Sequence, residues 1–365
     1  MRGYLAIKDA GIFAGRYFGW DGPCSGEIAH FRSLDFCWDV LTDPAYHKKI
    51  VITDRVCVED RSPLAEDSQS FMPHLSAIVF LGPIRKPPLF APDRGLEEYL
   101  KTNRVAGFIP DRKDLLYDAL RFVPNATAGL AGSPDDALDG SQKPATYNTE
   151  DLRWVSAPRE YLWDLAPGDM PREKHNIVVW DFGTGYGLLR TFRKSGCRIR
   201  VVPPDTEPED IVALHPDGII ISGSPLSPSS ARKIIPRVER VIGIRPILGI
   251  GGGAITLAEA LGIEIIEMSN PHHGSAIPIE ALATGKVSAT YQAHSLSLNP
   301  VATESSGCAI THINICDESV ESFANAEYNL IGALYTDVFR ENPPYLTEFN
   351  QILIESAAIS LNNGL

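Results

Sequence analysis

The chain has 365 residues, 44% of them hydrophobic, enough to bury large cores and, by length, to form two domains. Its formal net charge of −13 argues against nucleic acid or an anionic membrane surface as the main partner. The six cysteines (Cys24, Cys37, Cys57, Cys197, Cys308 and Cys316) lie far apart, with no CxxC pair and no metal-ligand spacing, so reduced structural thiols are expected and neither a metal nor a cofactor is implied. The opening "MRGYLAIKDAGIFAG" lacks an apolar signal core, and no apolar run is long enough to span a bilayer, so a cytoplasmic location without membrane contact is expected.

In chain order, residues 1–130 mix short β-like runs ("GYLAI", "KIVIT", "SAIVFLG") with turns and show no regular strand–helix alternation, which predicts an α+β domain. Residues 131–174 are rich in Pro, Asp, Gly and Ser and read as a connector, docked in part through Trp154, Tyr161 and Trp163. Residues 175–365 alternate regularly. Strands are expected at "NIVVWDFG", "RIRVVPP", "GIIISG" and "PILGI", and amphipathic helices at "YGLLRTFRKSG", "EPEDIVALHP", "SSARKIIPRVERVIG" and "AITLAEALG". Apolar runs of this kind between helices predict a doubly wound α/β domain. Its ligands belong at the carboxyl ends of the strands, in the loops at 181–186, 223–229 and 249–254 and after "NLIGALY".

The stretch "RPILGIGGGAITLAEALG" places Gly251, Gly252 and Gly253 at one of those strand-to-helix turns. Such a turn can present backbone N–H groups to an anion but carries no side chain that attacks anything. Gly249-x-Gly251-x-x-Ala254 also fits a dinucleotide fingerprint in part, although it follows the fourth strand of its domain rather than the first.

Segments along nearly the whole chain resemble the small, glutamine-hydrolysing subunit of carbamoyl phosphate synthetase, a class I glutamine amidotransferase. They include "GYLAIKDAGIFAGRYFG", "LEEYLKTNRVAGFIPDRKDLL", "LHPDGIIISGSPLSP", "PILGIGGGAITLAEALG", "HHGSAIPI" and "TYQAHSLSLN". The resemblance implies that family's two-domain fold. It also implies a cysteine nucleophile at the position occupied here by Gly251, and a His-Pro-Glu whose members fall on Thr336, Asp337 and Val338. Without a thiolate no thioester can form. Of the positions that hold glutamine in the family, Ser33 is kept, whereas Ser224, Leu226, Gly252, Ile255, Ala293, Ser295 and Leu296 depart. The resemblance therefore implies a scaffold whose glutaminase chemistry has been erased.

Chemistry in such a site must come from the groups that remain. His294, and also His272 and His273, match histidines of the family pattern; each can serve as an acid–base group or simply hold a loop, and a metal would need a third ligand that the sequence does not point out. Asp337, at the strand end where the old base lay, is a second acid–base candidate or a surface carboxylate. The substrate-binding candidates are Ser33, Ser224, Gly251, Gly252, Gly253, Ala293 and Thr336. Two functions remain open. One is a biosynthetic enzyme acting on a small molecule by acid–base catalysis, through cyclisation, condensation or isomerisation. The other is a non-catalytic subunit that stabilises or regulates a synthetase-like large partner, with self-association as a further partner reading.

Overall fold

The computed structural model describes residues 1–31, 38–54, 68–82, 96–143, 150–163, 172–223, 228–336 and 345–352. They form two compact units, Met1–Thr146 with Ser269–Ser275, and Tyr147–Met268 with Ala276–Leu365.

The first unit is a closed barrel of β1 (Arg2–Ile7), β2 (Gly11–Gly19), β3 (Cys24–Phe31), β4 (Ile50–Thr53), β5 (Ala77–Phe80), β6 (Ala106–Pro110) and β7 (Thr127–Ala131), in the order β1-β2-β6-β5-β4-β3-β7. The runs "GYLAI", "KIVIT" and "SAIVFLG" supply β1, β4 and β5. Strands β3 to β6 run parallel to their neighbours, and β1, β2 and β7 close the barrel with antiparallel pairs. Alternate residues such as Leu5, Ile7, Ile28, Ile50, Ile52, Val79 and Phe108 point inward and fill the barrel. This strand-rich core with short helices is the α+β domain expected of the N-terminal half.

The second unit is built on a ten-stranded sheet. Its strands are β8 (Tyr161–Leu162), β9 (His175–Phe182), β10 (Cys197–Val202), β11 (Gly218–Gly223), β12 (Ile247–Gly251), β13 (Ile265–Ala281), β14 (Lys286–Leu298), β15 (Ala309–Asn314), β16 (Val320–Asn325) and β17 (Leu330–Ala333). The order is β14-β13-β15-β16-β17-β12-β11-β9-β10-β8. The middle five strands, β17, β12, β11, β9 and β10, are parallel. Both faces of these strands are apolar. Val178, Trp180 and Ile219 point into one core, and Ile177, Val179 and Ile220 into the other. This two-sided burial is why each strand reads as an unbroken Val/Ile run. Helices Tyr186–Lys194, Pro208–Ala213, Pro228–Glu239 and Gly252–Ala260 stand where the amphipathic segments were expected. Strands β13 to β16 extend the parallel sheet as an antiparallel flank. No helix among the described residues is long and apolar enough to cross a membrane.

Candidate functional site

The glycine turn lies at the carboxyl end of β12, where Gly251 pairs with Gly223 at the end of β11 and helix Gly252–Ala260 begins. Gly251 has φ 57° and ψ −122°, the sharp left-handed corner on which a strand-to-helix turn presents a nucleophile. Among the described residues, a Cβ built on Gly251 would meet only the Gly223 carbonyl oxygen, at 3.5 Å, which leaves room for a side chain on that side. At Gly253, by contrast, a Cβ would lie 1.9 Å from the Ile221 carbonyl oxygen, so the helix can rest this closely on β11 only with glycine there. The frame of the turn is thus enforced by packing while its tip is bare.

Behind the turn the environment is apolar. Ala254, Ile255 and Leu257 are buried in the core of the unit, and Leu296 of β14 packs against that core. The first amides of a helix have no intrahelical partner, so the amino terminus at Gly252 and Gly253 carries donors and the positive end of the helix dipole. The loop after β9 is held by Asp181, whose buried carboxylate accepts N–H groups from Gly183 at 2.8 Å and from Thr184 and Ala157 at 2.7 Å. Burial pushes this carboxyl up, against the opposing pull of those three donors. Its lone pairs serve the loop.

Thr336, which the sequence resemblance aligns with the family's histidine, follows β17 and forms an isolated antiparallel bridge with Tyr291 of β14, with N–H···O bonds of 2.9 and 3.0 Å in the two directions. Because β17 lies beside β12 in register (Ile250 opposite Ala333), this bridge fixes Thr336 and β14 at the same end of the sheet as the glycine turn. Ala293 and His294 sit on β14 two and three residues beyond the bridge. Ser33, Ser224, Leu226, Asp337 and Val338 lie outside the described residues. His272 and His273 are buried on the stretch of β13 that belongs to the barrel unit, where the His273 ring is 5.9 Å from that of Tyr46.

His294 has a partner that the sequence reading missed. Its Nδ1 is 2.9 Å from the Leu296 carbonyl oxygen, and its Nε2 is 3.4 Å from Glu321 Oε2 on β16. A carbonyl only accepts, so Nδ1 carries a proton, and in the neutral ring Nε2 would turn a lone pair towards the carboxylate. Two facing lone pairs repel. A proton placed between Nε2 and Oε2 would replace that repulsion by attraction. Glu321 is fully buried, and Ser319 Oγ, whose proton goes to Asp317 Oδ1 at 2.7 Å, lies 3.4 Å from its other oxygen.

His312 of β15 is also buried, with its ring 6.0 Å from that of Tyr335. Burial lowers its imidazole below the usual value, and the Glu321 charge works in the opposite sense. The signal in the sequence was a pair of ionisable residues inside strand-forming runs, "AITHIN" and "VESFAN", where alternate residues face inward.

A family model for class I glutamine amidotransferase matches residues 178–333, and one for the CPSase domain of the carbamoyl-phosphate synthase small chain matches residues 5–110. The chain is similar to the carbamoyl phosphate synthase small chain of Syntrophotalea carbinolica, at 27% identity over 92% of each chain. It is similar to that of Akkermansia muciniphila, at 28% over 92% of each. It is also similar to that of Aquifex aeolicus, at 26% over 91% of this chain and 92% of the relative. The first match absorbs the glycine turn into an amidotransferase domain and sets the dinucleotide reading aside. The chain is a homologue of the carbamoyl phosphate synthase small-subunit family, carrying that family's small-chain domain followed by a class I glutamine amidotransferase domain.

Proposed function

We propose that this chain is not a glutaminase, and that its strand-end pocket has been turned to another small molecule. The observation that carries this reading is the turn itself. Gly251 keeps the backbone corner and the free volume of a nucleophile site, yet has no thiol, hydroxyl or carboxylate to place there. Thr336 stands where the resemblance puts the family's base.

The ligand that suits what remains bears a carboxylate or carbonyl for the Gly252 and Gly253 amides and an apolar body for Ile255 and Leu296. Glutamine suits it poorly, because each lost polar partner costs about 1–3 kcal/mol on binding. The His294–Glu321 pair supplies the acid–base group, and cyclisation, condensation or isomerisation requires no covalent nucleophile. Asp337, His272 and His273 remain candidates for a second proton-transfer group.

A second reading, a non-catalytic subunit of a synthetase-like partner, is favoured by one fact: the similarity spans 92% of small-chain relatives, with both domains kept. Isotope-labelled glycine amides test the first reading. On titration with a panel of small carboxylic acids, the Gly252 and Gly253 signals should shift saturably with an acid of apolar body and stay still with glutamine. Saturable shifts with glutamine, or none with any acid while a large synthetase chain co-purifies and loses activity when this chain is removed, would replace the first reading with the second.

A further inference from the structure

At the opposite end of the same sheet, a cavity of about 270 Å³ opens between the amino-terminal ends of β9, β10 and β11. Its polar lining comes from Asn176, Arg198, Arg200 and His215, and Leu162 and Leu214 supply apolar walls. The register explains the arrangement. Arg198 lies opposite Asn176 and Arg200 opposite Val178, so the two arginines, two residues apart on one strand, project from the same face. The helix Pro208–Ala213 ends before it covers them, and the chain turns at His215 with φ 49°.

We propose that this cavity is a binding site for a small oxyanion, a carboxylate or phosphate group carried by a low-molecular-weight compound. The nearby acids are already engaged. Glu160 pairs with Arg200, and Asp217 Oδ2 accepts the Asn176 N–H at 2.7 Å. The Arg198 guanidinium and the Asn176 side-chain amide have no hydrogen-bond or ion-pair partner among the described residues. Both line one open-sided cavity, to which they bring a planar fork of N–H donors and a neutral donor, the pattern that takes an oxyanion through two parallel bonds. Arg200 is neutralised by Glu160, so the charge offered to an anion is that of Arg198, which has no carboxylate of its own. Asn176 is separated from the far end of β9 by about 20 Å of strand, so the site is distinct from the glycine turn.

Calorimetric titration of the full chain tests this, with inorganic phosphate and separately with succinate, in chloride buffer. At least one probe should bind saturably at one site, and which one does so tells a phosphate ligand from a carboxylate. Arg198→Gln, at an exposed position whose loss leaves the core intact, should weaken that binding about tenfold or more by removing charge-assisted bonds. Arg198→Lys should fall between wild type and Arg198→Gln, keeping the charge and losing the fork. Absence of saturable binding by either probe overturns the proposal. So does binding that is unchanged in Arg198→Gln, because that anion would sit elsewhere, as at the glycine turn.

Discussion

The glycine turn after β12 and the buried face of β14 to β16 belong to one sheet, yet they carry opposite chemistry. The turn has the backbone of a nucleophile corner and no side chain at Gly251, Gly252 or Gly253. The β14–β16 layer keeps ionisable side chains at full burial, with His294 on Glu321 and His312 beside them. The difference shows what holds each in place. A close approach such as Gly253 on Ile221 is enforced by packing, so it requires no reactive side chain to hold it. A buried charge has no such geometric guarantee and persists only while its partner does.

That contrast can be broken first at Glu321. Glu321→Ala leaves His294 with a buried ring nitrogen and no carboxylate, and should cost about 3–5 kcal/mol of stability in denaturant titration. A loss below about 1 kcal/mol would mean that the pair is not a buried partnership. Gly253→Ala comes next. Its Cβ would press on a backbone carbonyl, so helix Gly252–Ala260 must lift from β11, at about 2–3 kcal/mol. A neutral result would refute the packing account of the turn.

The barrel unit sharpens the point about buried ionisable groups. Burial, helped by the neighbouring His47 imidazole, pushes His74 down to about 3 from an unfolded value of 6.5, and its Nε2 lies 2.9 Å from Ser70 Oγ. A folded value below the unfolded one means that the neutral ring stabilises the fold. The contribution is complete above about pH 6.5 and is lost as the pH falls towards 3, at about 1.4 kcal/mol per pH unit. His74→Gln should flatten the acid limb of stability against pH, and an unchanged slope would contradict the assignment. The smallest effect is expected at Gly251→Ala, where the side chain has space and only the left-handed corner costs about 1 kcal/mol. A loss equal to that of Gly253→Ala would erase the distinction between frame and tip.

The parallel strands and the turn were legible because β9, β11 and β12 are buried on both faces and read as apolar runs between helices. Barrel closure was not, because the order β1-β2-β6-β5-β4-β3-β7 depends on pairings between distant segments that no local pattern encodes. His294 was visible as a residue but Glu321 as its partner was not. A lone glutamate in "SVESFAN" reads as surface until folding brings His294 of β14 against it, and only pairing shows that alternate residues of β15, His312 and Asn314, face inward.

The corner at Gly251 has the backbone of a nucleophile turn and no side chain on it, and ammonia release from glutamine, measured for the purified chain and for Gly251→Cys, each against its own denatured control, probes what that costs. No release above control is expected from either, because cysteine alone restores neither a base at Thr336 nor polar groups for glutamine where Ile255 and Leu296 stand. Turnover by the wild-type chain would contradict this expectation outright, and turnover by Gly251→Cys would show that the pocket still recognises glutamine.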